Sequence, residues 1–300
     1  MTSKAPIVAV TGGKGGTGKT VVATNLAYAL CRNGYEVLLV DCDVDAPNTY
    51  VALGVSLTAK AAVEIFKPEV NKEKCTKCGR CVQVCKEHAL VGGPGYYPFL
   101  IEDLCSGCKA CSIACPVSAI EGGKKVLGEV LEGRSNGLRL VVGRLRPTEA
   151  RSPVVARKTL LVALEEADNY DLVIVDTAPG VHNAVAQALW TSSLALAVTE
   201  PTPLGLHDLE LVLSLLEQLS TPSAVVVNKS GISPEYEEEI SRRCAERGFE
   251  VVASVPYSEE VLQSYLGRTP VLRMYPNSPA SKAFEDLARF VENALDLGGG

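Results

Sequence analysis

A chain of 300 residues with a formal net charge of -6 and 47% hydrophobic content has room for one large domain or two modest ones around a real core. The acidic balance excludes a general affinity for nucleic acid, and no apolar run approaches the roughly 18–20 residues needed to insert across a bilayer. Most of the 11 cysteines sit in two tight groups, which in a reducing compartment points to metal before disulfides.

The first apolar stretch, Ile7-Val8-Ala9-Val10, reads as a buried strand. It starts so early that no space is left for a signal peptide, and a cytoplasmic location is expected. Residues 12–20 then read Gly-Gly-Lys-Gly-Gly-Thr-Gly-Lys-Thr, and residues 21–30 read as a helix. The pattern G-x-x-x-x-G-K-[ST] from Gly13 to Thr20, between a strand and a helix, is a phosphate-binding P-loop. Glycines let backbone N–H groups close around phosphate oxygens, and the helix directs its positive dipole end at the anion. Gly13, Lys14, Gly15, Gly16, Thr17, Gly18, Lys19 and Thr20 are therefore expected to bind ATP. Lys19 would bridge the terminal phosphates and the Thr20 hydroxyl would ligate Mg2+.

A second strand over 36–40 ends in Asp41-Cys42-Asp43-Val44-Asp45-Ala46-Pro47-Asn48. Carboxylates at the C-terminal edge of a parallel strand beside a P-loop face the nucleotide. Capping is the competing role for Asp41 and Asp43, and Asp45 is equally well a turn residue. From about residue 59 lysines rise and the chain reads Cys75-x-x-Cys78-x-x-Cys81-x-x-x-Cys85. A Gly/Pro/Tyr segment follows, then Cys105-x-x-Cys108-x-x-Cys111-x-x-x-Cys115-Pro116. Zinc competes for such C-x-x-C pairs, but two matching four-cysteine runs suit it poorly. Cys31, Cys42 and Cys244 are read as structural.

After about residue 126 the α/β pattern resumes, with a strand over 138–142 and a helix over 151–167. An apolar strand over 172–175 then leads into Asp176-Thr177-Ala178-Pro179-Gly180, the Walker B pattern, in which Asp176 holds Mg2+ through water. A strand over 194–199, a helix over 206–219 and a strand over 224–227 ending in Asn228-Lys229 come next. A helix over 235–247, a strand over 251–255 leading to Pro256-Tyr257, an amphipathic helix over 281–295 and a flexible Gly298-Gly299-Gly300 tail complete the reading. His88, His182 and His207 have no clustered partners and are read as structural. Alternating strands and helices imply a doubly wound, mostly parallel sheet.

K-G-G-x-G-K-T, with Lys14 added to the ordinary loop, resembles the deviant Walker A loop of septum-site and partition ATPases, the nitrogenase iron protein and metal-cluster assembly ATPases. The resemblance covers roughly residues 5–58 and 126–295. It implies that Lys14 reaches the nucleotide of the opposing subunit in an ATP-dependent homodimer; the residues alone also permit a solvated lysine. It further implies that Asp43 activates the attacking water, and that Thr20, Asp41, Asp43 and Asp176 surround Mg2+. Lys14, Lys19 and Asp43 would thus carry catalysis. Asn228, Lys229 and the backbone at Pro256 resemble the family's base-binding segment; helix capping is the alternative for Asn228.

The duplicated C-x2-C-x2-C-x3-C pattern is the bacterial ferredoxin signature for two [4Fe–4S] clusters with crossed fourth ligands. One cluster takes Cys75, Cys78, Cys81 and Cys115; the other takes Cys85, Cys105, Cys108 and Cys111. Lys86 stands where ferredoxins usually have proline. The whole looks like a septum-site-type ATPase (1–58 and 126–300) with an inserted ferredoxin-like α+β domain (59–125).

Within that superfamily, Glu285, Asp286, Glu292 and Asp296 against Lys282 and Arg289 argue against a membrane-binding C-terminal helix. No cysteine lies near Asp176–Gly180, unlike the nitrogenase iron protein, and no late C-x-x-C pair exists, unlike scaffold-type cluster carriers. Two function classes are expected: an ATPase that gates electron delivery from the clusters to an unidentified redox partner, or a factor that inserts a metal or cluster into a client metalloprotein.

Overall fold

The computed structural model describes residues 5–135 and 137–297; the Gly298-Gly299-Gly300 tail lies outside the described residues. In chain order the elements begin with β1 (Ile7–Thr11), α1 (Lys19–Arg32), β2 (Val37–Asp41), the one-turn α2 (Thr49–Ala52) and β3 (Thr58–Val70). The cysteine-rich stretch contributes α3 (Arg80–Gln83), β4 (Leu90–Val91), β5 (Phe99–Leu100) and α4 (Ala110–Ile113). Next come β6 (Ile120–Ser135), β7 (Leu138–Leu145), α5 (Ser152–Leu164), β8 (Leu172–Asp176), α6 (Asn183–Trp190) and β9 (Leu194–Thr199). The chain closes with α7 (Pro203–Leu219), β10 (Ser223–Ser230), α8 (Pro234–Glu246), β11 (Val251–Pro256), α9 (Glu259–Leu266), α10 (Val271–Met274) and α11 (Pro279–Ala294).

The strands pair in the order β11-β10-β9-β1-β8-β2-β7-β6-β3. From β11 to β7 every pairing is parallel. Strands β1, β2, β8 and β9 are buried along their whole length, which explains their unbroken apolar runs: both faces of a parallel sheet are covered by helices. On one face Val8 and Val10 pack with Leu26 and Leu30 of α1 and Phe284 of α11. On the other Ala9 packs with Leu213 of α7 and Ile240 of α8. Alternation along one strand thus feeds two cores.

Helix starts follow local chemistry. Thr202, Ser233 and Ser278 each cap a helix whose next residue is proline, a position where the missing N–H costs nothing. The α7 helix accordingly begins at Pro203, ahead of the apolar periodicity that suggested 206. The strands β3 and β6 are longer than their sequence suggests, because charged residues interrupt them: β3 holds Lys60, Glu64, Lys67 and Glu69, mostly on its exposed face.

The described chain divides into two compact units. The first holds the residues through Ala61, Val130–Arg144 and those from Ser152 on; the second holds Ala62–Glu129 and Leu145–Arg151. The short segment belongs with the second because the Arg151 guanidinium donates to the carbonyls of Cys105 (2.7 Å) and Asp103 (3.0 Å). Among the described residues, no helix is long and apolar enough to cross a membrane.

Candidate functional site

In the first unit, β1 runs into the glycine loop and the loop into α1. Gly16 and Gly18 have φ of 86° and 94°, left-handed values that favour glycine. A Cβ at Gly18 would also collide with the Asn228 amide. Unlike α7, α8, α9 and α11, α1 has no capping side chain at its start. Its first N–H groups and its positive dipole end are left for an anion.

Lys19 is buried at 6% exposure and donates to the Lys14 carbonyl at 2.8 Å. Burial lowers its pKa, against the opposing pull of Asp176 and Asp43. Thr20 Oγ1 donates to Asp176 Oδ2 at 2.7 Å. The other Asp176 oxygen, and the Thr17 hydroxyl, are buried without a hydrogen-bond partner among the described residues. Burial first, then the neighbouring Asp41, raises the Asp176 pKa well above the ordinary carboxylate value. An orphaned carboxylate oxygen beside a threonine hydroxyl at a P-loop is a donor set that fits a hydrated divalent cation.

Asp41 is completely buried. Its Oδ1 accepts from the Asp43 amide (3.1 Å), and its Oδ2 from the amides of Asn48 (3.0 Å) and Thr49 (3.1 Å) and the Thr49 hydroxyl (2.8 Å). Burial pushes it up to about 6 in spite of these bonds. Asp41 therefore staples the loop that carries Asp43. Asp43 is half-buried, with a pKa raised by burial and pulled back by Lys19. Asp45 accepts from the Ser152 hydroxyl at 2.9 Å, which ties the same loop to α5. Asp43, Asp45, Ala178, Pro179 and His182 line one cavity of about 300 Å3. His182 thus sits beside the Walker B loop, where the sequence gave it only a structural role.

Glu200, at the end of β9, was given no role from sequence. It is 8% exposed and holds two lysines: Lys14 Nζ at 2.7 Å and Lys229 Nζ at 2.6 Å. Burial raises its pKa, but the two lysines outweigh burial and leave it lowered. Lys229 also donates to the Gly16 carbonyl (2.8 Å), and the Asn228 amide to the Thr17 carbonyl (2.7 Å). Asn228, Lys229 and Pro256 border a cleft of about 230 Å3 with Gly18, Tyr257, Leu262 and Tyr265. The two tyrosines and Leu262 come from the β11–α9 corner, which only the folded chain brings to the P-loop.

In the second unit the cysteine runs repeat each other's backbone at a spacing of thirty residues (75 to 105, 85 to 115). Lys77 and Gly107, Gly79 and Lys109, and His88 and Ser118 all have positive φ, and α3 and α4 follow the same offset. Cys75, Cys78, Cys81 and Cys115 line one cavity, closed by Pro98, Val117 and Ile120. Burial raises the Cys81 thiol, with Cys115 and Cys75 adding to it. Cys111 is pushed up to about 11 by burial, with Cys105 and Cys108 adding to it. Cys85 packs on the same apolar core as Cys111 and Ile120. Among the described residues, no three His, Cys, Asp or Glu side chains converge closely enough to hold a single ion.

The profile of the CobQ/CobB/MinD/ParA nucleotide binding domain matches residues 8–271. The chain belongs to the CobQ/CobB/MinD/ParA family. A relative from Methanocaldococcus jannaschii, named uncharacterized protein MJ0579, is 38% identical over 77% of this chain and 82% of its own length. The iron-sulfur cluster carrier protein of Pyrococcus horikoshii is 24% identical over 96% of this chain and 86% of its own. The septum site-determining protein MinD of Pyrococcus horikoshii, solved in complex with Mg-ADP, has the same fold, with a TM-score of 0.60 at 20% identity over 97% of each chain. Membership of the CobQ/CobB/MinD/ParA family accounts for the parallel sheet and its nucleotide loop, and supports ATP hydrolysis.

Proposed function

We propose that this chain is a Mg-ATP-dependent ATPase that dimerises on ATP and couples that event to electron transfer through two [4Fe–4S] clusters to a partner protein. In this reading residues 59–125 form the inserted ferredoxin-like module within an ATPase of residues 1–58 and 126–300. The observation that carries it is the cavity shared by Cys75, Cys78, Cys81 and, from the other run, Cys115. A thiol borrowed across the duplication is what a crossed two-cluster module requires, and three thiols from one run with one from the other match its ligand count.

The amides of the loop and of α1 cradle the phosphates, and Lys19 neutralises their charge. Thr20 and Asp176 would hold the hydration shell of a bound Mg2+, which would supply charge stabilisation to the transferring phosphoryl group. Asp43, held by the Asp41 staple, orients the attacking water. Lys14 acts on the nucleotide of the second subunit. Asn228 and the Pro256 backbone hold the base. Cys75, Cys78, Cys81 and Cys115, and Cys85, Cys105, Cys108 and Cys111, hold clusters that supply one-electron chemistry.

A second reading, an ATP-dependent cluster or metal assembly factor for a client protein, is favoured by the similarity to a protein named iron-sulfur cluster carrier. Anaerobic protein loaded with 55Fe and mixed with cluster-free acceptor separates the two. Electron transfer leaves the iron on this chain; assembly moves it to the acceptor on ATP addition.

A further inference from the structure

The two cysteine runs are near-copies in backbone but not in charge. Residues 72–87 carry Lys72, Lys74, Lys77, Arg80 and Lys86 against Glu73 and Glu87; residues 102–117 carry Lys109 against Glu102 and Asp103. Were these cations only balancing metal clusters, two equal four-thiol sites would be served alike.

Pairing sharpens the asymmetry. Lys74 is held by Glu121 at 3.1 Å. Lys124 is held by Glu64 at 2.7 Å, and Lys125 by Asp103 and Glu149 at 3.1 and 3.4 Å. Lys72, Lys77, Arg80 and Lys86 have no carboxylate partner among the described residues. Lys77 and Lys72 instead stand over the Tyr97 ring, with Nζ 4.4 and 5.7 Å from its centre, which holds both charges in place.

The loop attached to this run adds exposed aromatic side chains. The Gly95 amide donates to the Lys77 carbonyl at 2.9 Å and Pro94 packs against Gly79, so the Gly/Pro/Tyr loop is fixed to the first run. That loop presents Tyr96 at 74% exposure, and Phe99 at 67% follows it, paired across the small hairpin with Val91. Exposed aromatic side chains on a loop fixed to a run of cations without carboxylate partners suit a protein-docking surface, and the sign of the charge selects an acidic partner.

We propose that this face docks an acidic one-electron carrier protein, and that the cluster held by Cys75, Cys78, Cys81 and Cys115 is the one that exchanges electrons with it. The proposal rests on the two-cluster reading and names the partner's chemistry. One electron passes between the two centres with no bond made or broken; the centre that gives it up is oxidised and the other reduced. Cys78, exposed at the tip of the run, brings that site to the surface.

The test uses the full-length holoprotein and, as probe, a small acidic two-cluster ferredoxin, with binding followed by surface plasmon resonance. Combined Lys72→Glu, Arg80→Glu and Lys86→Glu should weaken binding at least tenfold at about 0.05 M salt, with the gap closing at about 0.5 M as the charges are screened. Lys109→Asn and Lys124→Glu should change binding less than twofold. Equal affinity for wild type and the triple variant, equal loss in the controls, or sedimentation showing that the face takes only a second copy of this chain would overturn it. Iron and sulfide contents of each protein, measured in parallel, keep the outcomes apart: their absence defeats the two-cluster reading, whereas unchanged binding with full clusters defeats the docking face.

Discussion

Lys14 Nζ lies 2.7 Å from Glu200 Oε1, within a pair that is mostly shielded from water. The lysine that marks the deviant loop is thus engaged by its own chain, and the same carboxylate holds Lys229. A Lys14 that acts across a dimer has to leave this pair, so the pair opposes association until a phosphate offers a better counter-charge. Glu200→Gln is expected to shift ATP-dependent dimerisation to at least threefold lower protein concentration, a change of about 0.7 kcal/mol. Light scattering with a non-hydrolysable ATP analogue measures it; weaker dimerisation in the variant would mean that Glu200 aligns Lys14 instead of restraining it.

Lys19→Ala should abolish productive nucleotide binding, because among the described residues no other cation is buried at the phosphate loop. Asp43→Ala should keep ATP affinity within about threefold while turnover falls at least a hundredfold, the pattern for a group needed only in the transition state. Calorimetry for affinity and phosphate release for turnover separate the two. An Asp43 variant with normal turnover would remove its role.

The β11–α9 corner gives a prediction with an internal control. Replacing Tyr257 and Tyr265 with alanine should weaken ATP about tenfold or more, the order expected for loss of aromatic stacking on a base. Inorganic triphosphate has no base and should bind equally to both proteins. Parallel loss of both ligands would mean that the tyrosines support the loop, not the adenine.

The iron content reads the crossed ligands. In the two-cluster reading, Cys115→Ala and Cys85→Ala should each lower bound iron from about eight toward about four per chain, because each would remove one thiol from a different cubane. EPR should then report a single cluster, different in the two variants. Stoichiometric zinc without sulfide would contradict the assignment.

Asp41 carries a pH prediction. Its folded pKa of about 6 lies above its ordinary 3.8, so between these values the folded state binds more protons than the unfolded one. Stability from this group is complete below about pH 3.8 and lost as pH rises through 6. In Asp41→Asn that falling component should vanish, so the melting temperature of wild type minus that of the variant, measured from pH 4 to 7, should fall as pH rises. The variant should also be less stable at every pH, since an amide cannot accept from Asn48, Thr49 and Asp43 together. An unchanged slope would show that Asp41 does not titrate there.

What the sequence made legible was chemistry confined to a few consecutive residues. The loop of Gly13–Thr20 and the cysteine runs need particular backbones in short windows, and their residue types betray them. Glu200, Tyr265 and His182 come to the site from the ends of other elements, so no local pattern marks them, and at Pro256-Tyr257 only the backbone was marked. The family resemblance placed Asp41 near Mg2+, but no local pattern shows that its oxygens accept from the amides of Asp43, Asn48 and Thr49 on the following loop. The strands β3 and β6 escaped notice because charges alternate along them, and the helices α7, α8 and α11 start at a Ser/Thr-Pro step before their apolar periodicity begins.

In the proposed function, the nucleotide state of the ATPase controls electron flow through the clusters. The direct measurement is stopped-flow reoxidation of the fully reduced holoprotein by a soluble acceptor, with no nucleotide, with Mg-ADP and with a non-hydrolysable Mg-ATP analogue. The analogue alone should change the rate by at least threefold, and Lys14→Ala should abolish the change while leaving the nucleotide-free rate as it is. Identical rates in all three states would contradict it.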